Sequence, residues 1–233
     1  MRWGILAANP AAGAKPPRPV RPEPALVDAA LAARIFSLTL GTSFELPAAI
    51  ALSTGMRRGE ICGLRWRDLD SGCTVAHVRR GVGTSGKRLV VNEPKTQRSR
   101  RSVALPLLLR PYLARQRVDQ AQRRERLEDS WVDLDLVMDR GDGRFCNPDT
   151  LSSGWATFCK RSGIGPIRFH DLRHAHATLM LLQGVHPKVV SERLGHASVG
   201  ITLDLYSHVL PSMQSAAVEA FDQLFSPGAT PSP

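Results

Sequence analysis

His170-Asp171-Leu172-Arg173-His174 opens a helical stretch that runs to about Gln183, and its spacing decides how the rest of the chain is read. At about 100° per residue, His170, Arg173 and His174 fall within an arc of roughly 100°. Leu172, Ala175, Leu179 and Leu182 fall on the opposite side. One helix therefore carries a polar cluster and a core stripe on separate faces. Its first turn also offers free backbone N–H groups and the positive end of a dipole, both suited to a phosphate.

Working outward, helices are predicted at about Pro148 to Arg161 and Pro187 to Leu194, with Gly184 and Gly195 where terminating glycines belong. Upstream, helical periodicity begins at Ala25, with Leu26, Ala29, Ala30, Ala33 and Phe36 on one face. Further helices are predicted from Leu46 to Ser53, with Pro47 in the first turn, and from Arg57 to Trp66. The period then changes. Thr74 to Val78, Arg88 to Val91 and Ser102 to Leu105 read as short strands, the first two joined through the glycine-rich segment 81–86. Leu107 to Leu127 is predicted to be a long helix with a basic outer face (Arg115, Arg117, Arg123, Arg124, Arg126), and Asp135 to Met138 one more short strand. Met213 to Phe225 reads as a last amphipathic helix whose stripe is Ala217, Val218, Phe221 and Leu224. The expected class is α+β and mainly helical, a multi-helix domain with a small three-stranded antiparallel sheet.

Three divisions follow. Residues 7–24 hold six prolines, which forbid a helix and favour a stiff extended linker. Residues 25–225 form the folded domain, and residues 226–233 a tail. With 31 Lys+Arg against 21 Asp+Glu in 233 residues, the net charge of +10 points to a polyanionic partner, most simply nucleic acid. No apolar run approaches the ~18 residues of a membrane span. The stretch Met1 to Leu6 is too short for a secretory signal. Cys62, Cys73, Cys146 and Cys159 lie far apart without a CxxC pair, as expected of a reduced, cytoplasmic protein with buried thiols.

Four segments carry chemistry: Thr54-Gly55-Met56-Arg57-Arg58-Gly59-Glu60, Glu93-Pro94-Lys95-Thr96, the segment at His170, and Leu194-Gly195-His196 followed by Leu205-Tyr206-Ser207-His208. Arg57 is expected to be half-exposed and paired with Glu60 at i+3. The run Arg98, Arg100, Arg101 reads either as a solvated loop or as an edge that tracks phosphates. Two arginines, a lysine, two histidines and a tyrosine meet the needs of phosphoryl transfer to a phenol. Guanidinium forks neutralise the non-bridging oxygens, and proton donors and acceptors serve the attacking and leaving oxygens. A metal at His170 and His174 is a weaker reading, since an arginine sits among them without a carboxylate or thiol.

The order Arg57, Lys95, His170-x-x-Arg173, His196, Tyr206 resembles the tyrosine recombinase (phage integrase) family, over about Arg21 to Leu224. The resemblance implies a site-specific recombinase in which Tyr206 attacks a DNA phosphodiester, leaving a 3′-phosphotyrosyl link and a free 5′-hydroxyl. It implies that Arg57 and Arg173 clamp the phosphate and that Lys95 protonates the leaving oxygen. His170 would accept or relay the tyrosine proton, and His196 would bond a non-bridging oxygen. No cofactor or metal is implied, because side chains supply the cations and the covalent link stores the bond energy. Partners would be double-stranded DNA and, through helix 213–225, three further copies of the chain in a tetramer. Members of the family carry a core-binding domain ahead of the linker, so Met1 to Ala7 is expected to be the stub of such a domain. The same residues also admit a type IB topoisomerase-like activity or a DNA-binding remnant without recombination.

Overall fold

A computed structural model of the chain describes residues 27–86, 88–93 and 100–207, together with positions 13, 218, 221 and 222. The first helix, α1 (Ala29–Thr39), is capped by the Asp28 side chain, which accepts from the Leu31 amide at 2.7 Å. It buries Ala32, Ile35 and Thr39. The expected face is corrected here: Ala29, Ala30 and Ala33 are exposed. A methyl group contributes little area, so the larger Ile35, helped by the part-buried Leu31 and Phe36, decides which side turns inward.

α2 (Glu45–Thr54) is the central element, with every residue but Ser53 buried. Its sequence is apolar on all sides, and it packs against both α1 and α6. Gly55 ends it in the left-handed region at φ 67°. That conformation and the crowding suit only glycine, because a Cβ there would strike the side chains of Leu194 and His176. α3 (Arg58–Gly63) follows and leads through a short 3-10 turn into the strands.

The strands are β1 (Val75–Val78), β2 (Gly81–Ser85), β3 (Arg88–Asn92) and β4 (Arg101–Ala104). The small antiparallel component of the fold is as expected, but its pairing is not. Among the described residues there are two ladders of two strands, β1 with β4 and β2 with β3, in place of three strands in one sheet. The segment expected as a loop is itself β2, with Val82 opposite Val91. α3 lies against β2 so closely that a Cβ on Gly59 of α3 would meet the Val82 carbonyl. The expected strand at 135–138 is reduced to a single bridge, Leu136 with Arg65.

The remaining helices are α4 (Arg110–Leu127), α5 (Pro148–Ser162), α6 (Asp171–Leu182), α7 (Pro187–Leu194) and α8 (Val199–Ser207). The basic outer face of α4 is present, with Arg115, Arg117, Arg124 and Arg126 exposed, but most of its guanidiniums have partners. Arg115 pairs with Glu45, Arg123 with Asp139 and Arg124 with Asp133, while Arg117 stacks over the Trp66 ring at 4.4 Å. α8 was not among the predicted helices, and the predicted helix at 213–225 lies outside the described residues except for Val218, Phe221 and Asp222. No helix of the described residues is long and apolar enough to cross a membrane. All four cysteines are free, Cys62 and Cys159 fully buried.

Two apolar clusters result. The larger one runs from α1 through α2 and the strands to the first turns of α6, and it closes around Trp155. The Trp155 ring meets Phe44 and Phe169 edge-on and stacks on Phe158, at 5.4–5.7 Å, and its indole N–H donates to the Ile167 carbonyl at 3.0 Å. The smaller cluster holds Ala177, Leu181, Val190 and Leu194. Trp155→Ala removes the ring at the centre of the larger cluster, and a chemical-denaturation midpoint should fall by the equivalent of about 3–5 kcal/mol.

Candidate active site

The site forms where the two clusters meet, from the C-terminal ends of α2 and α7 and the N-terminal ends of α3 and α6. Arg57 caps α3. Its backbone N–H donates to Glu60 Oε2 and its Nη1 to Glu60 Oε1, both at 2.8 Å. Its Nη2 donates to the Gly195 carbonyl at 2.9 Å. The ion pair and the half-exposure read from the sequence are both present, with 40% of the Arg57 side chain open to solvent.

Arg173 is far more enclosed than its place in a polar cluster suggested, with 3% of the residue exposed. Its Nη1 donates to the Gly55 carbonyl at 2.6 Å and its Nη2 to the Leu194 carbonyl at 2.8 Å. Both acceptors lie at helix C-termini, where carbonyls lack intrahelical partners and carry partial negative charge. Arg57 and Arg173 are thus held by the consecutive carbonyls of Gly195 and Leu194. Gly195 permits this by turning the chain at φ 67°. Burial and the nearby Arg57 lower the Arg173 pKa to about 9, so it remains cationic at neutral pH.

The histidines are set for the opposite state. Burial first, then His174 and Arg173, lowers His170 to about 4, and its ring meets that of His174 edge-on at 4.7 Å. His196 shares a 2.9 Å hydrogen bond through Nδ1 with the hydroxyl of the fully buried Thr202 on α8. Burial, Arg173 and Arg57 lower it to about 4 as well. Cations and neutral imidazoles therefore share one site at neutral pH, an arrangement that binds an anion while leaving ring nitrogens free to exchange protons. A cavity of about 550 Å³ adjoins the site; Arg57 and His170 line it together with Glu60, Arg80 and Asn92, whereas Arg173 and His196 lie behind its wall.

Arg57, His170, Arg173 and His196 thus come together. Of the two other expected site residues, Tyr206 occupies the last turn of α8, and Lys95 lies outside the described residues. Arg101 is corrected. It is neither a solvated loop residue nor a phosphate edge, but a buried guanidinium on β4 forked onto both oxygens of Glu60, at 2.9 and 2.8 Å. Although burial alone would raise the Glu60 pKa, Arg101 and Arg57 together lower it below the usual carboxylate range. Sequence reasoning also passed over His176, which is buried between Leu52 and Arg193. Its Nδ1 bonds the Leu52 carbonyl at 2.9 Å and its Nε2 accepts from Arg193 Nε at 3.0 Å. Among the described residues, no group of three or more His, Cys, Asp or Glu side chains gathers to hold a metal.

The model of the Phage integrase family matches residues 30–213. The chain belongs to that family. Among its relatives, the tyrosine recombinase XerC-like protein of Caldanaerobacter subterraneus subsp. tengcongensis is 31% identical over 243 aligned positions, covering 95% of this chain and 61% of the relative. The ICEBs1 integrase of Bacillus subtilis strain 168 is 33% identical over 187 positions, covering 78% and 49%. This phage integrase family member therefore spans less than two thirds of either relative. The fold is that of the Tn1549 transposon integrase solved in complex with transposon right end DNA, with a TM-score of 0.72 at 20% identity, covering 85% of this chain and 67% of that one. XerA recombinase superposes with a TM-score of 0.62 at 22% identity, covering 92% and 68%.

The buried His176 makes stability depend on pH. Burial and Arg193 lower its folded pKa from 6.5 to about 4. Between those values the unfolded chain takes up a proton that the folded chain refuses, so stability falls as pH drops from about 6.5 towards 4. Urea midpoints measured across that window should decline in the parent protein. The decline should be shallower in His176→Gln, whose amide does not titrate.

Proposed function

We propose that this chain is the catalytic part of a site-specific DNA recombinase that cuts and rejoins DNA through a 3′-phosphotyrosyl intermediate. The observation that carries the reading is the pair of arginines, Arg57 and Arg173, fixed on neighbouring carbonyls beside neutral His170 and His196. In this reading residues 25–225 are the catalytic domain, residues 1–24 link it to a core-binding domain, and residues 226–233 are a tail. The family match over residues 30–213 supports that division.

The roles follow from charge and reach. The scissile phosphodiester sits between Arg57 and Arg173, whose forks oppose its two non-bridging oxygens and gain strength as the pentavalent transition state collects charge. His196 adds a hydrogen bond to one of those oxygens, with its ring fixed by Thr202. The Tyr206 oxygen attacks phosphorus, its proton passing to His170, which is neutral at working pH and therefore able to accept it. The P–O5′ bond breaks, and Lys95 delivers a proton to the departing oxygen. Rejoining reverses these transfers: a 5′-hydroxyl attacks the phosphotyrosine and the phenol is regenerated.

The partner is double-stranded DNA; the Tn1549 transposon integrase of the same fold was solved in complex with transposon right end DNA. Four copies acting together, joined through the segment 213–225, and a cytoplasmic, nucleoid-associated location complete the proposal. Incubation with a library of nicked duplexes, in which cleavage releases a short fragment and strands the covalent complex, tests it. The parent protein should form an adduct that survives denaturing electrophoresis, and Tyr206→Phe should form none. An equal yield from the phenylalanine variant removes the mechanism. Relaxation of supercoiled plasmid without sequence preference would move the assignment to a topoisomerase.

A further inference from the structure

Both anchors of Arg57 lead to one side chain. Arg57 is held by the Glu60 carboxylate and by the Gly195 carbonyl. Arg101 forks onto both oxygens of that carboxylate. Its Nε donates to the Arg193 carbonyl at 2.6 Å, two residues before Gly195. Gly195 itself lies against the Arg101 side chain so closely that a Cβ would come within 2.9 Å of Nη1. All three Arg101 guanidinium nitrogens donate to these internal partners, and Arg101 does not line the cavity beside Arg57.

We propose that Arg101 is a positioning residue that fixes Arg57 for catalysis, by holding the Glu60 carboxylate and the turn at Gly195 in a single geometry. Two properties of the arrangement support this. A carboxylate shared by two guanidiniums does not neutralise either one, so Arg57 keeps positive charge to offer a phosphate; with Glu60 alone it would close into a neutral pair. The planar fork also sets the carboxylate plane, which a lysine at position 101 does not do. β4 thereby reaches the phosphate site through two intermediates, and its basic residue acts from the interior of the protein.

The inference rests on the recombinase reading for its consequence in catalysis, but its structural claim is measurable in the free protein. Slowed rotation of the Arg57 guanidinium, held at both Nη atoms, should give two resolved ¹⁵Nη resonances in the parent. In Arg101→Gln these should merge. Single-turnover cleavage of the trapping duplex should fall about 100-fold in Arg101→Gln, as expected of a misplaced clamp, while DNA affinity changes less than about threefold. Adding Arg101→Gln to an Arg57→Ala background should slow cleavage no further, because Arg101 acts only through Arg57. Arg101→Lys, which preserves the buried charge, should be intermediate, and it carries the test should the glutamine variant not fold. Arg57 resonances that stay resolved without Arg101, or rate losses that multiply in the double variant, overturn the proposal. If the parent forms no adduct, the recombinase reading fails while the resonance measurement still decides the role of Arg101.

Discussion

A guanidinium buried without an anion needs carbonyl partners, and the ends of helices are where a folded chain has them to give. Arg173 takes two, Gly55 at the end of α2 and Leu194 at the end of α7. The site is organised around that requirement. Because the next carbonyl, Gly195, is turned by a left-handed residue, it is available to Arg57, so one peptide segment sets the positions of two cations. Both helices stop where these carbonyls are still without intrahelical partners, which gives the glycines at 55 and 195 a part in the electrostatics as well as in the chain path.

The same cations set the state of the imidazoles. His170 and His196 are neutral well below physiological pH because they are partly buried among Arg57, Arg173 and, for His196, Arg101. An anion entering the cavity offsets that field and makes ring protonation easier. Proton acceptance is therefore coupled to occupancy: the rings resist protons in the empty site and accept them more readily beside a phosphate.

Local rules made much of this readable in the sequence. α7 was legible to the residue, from Pro187 at its start and Gly195 beyond its end, and the Arg57–Glu60 pair followed from i,i+3 spacing. What escaped depends on contacts distant in sequence. β2 was hidden by its glycines, Gly81 and Gly83, which read as a loop until Val82 is seen opposite Val91. α8 was hidden because Val199, Gly200, Ile201 and Thr202 are weak helix formers, and its placement owes something to the buried Thr202–His196 bond. Arg101 looks like one more residue in a basic run until Glu60, forty-one positions earlier, is seen beneath it. The arginines of α4 lie on an outer face as read, but the acidic partners of Arg115, Arg123 and Arg124 come from other parts of the chain.

The seam between the two apolar clusters has a mechanical consequence. α7 is tied to the larger cluster by arginine–carbonyl bonds: Arg173 to Leu194, Arg57 to Gly195, Arg101 to Arg193, and Arg193 itself to the carbonyls of Ser53 and Ala104. Greasy faces slip past one another gradually, whereas directional bonds of this kind let go together within about an ångström of travel. The seam therefore behaves as a latch with few intermediate positions. The two-arginine geometry uses the carbonyls at the end of α7, so it exists only when that one short helix is seated.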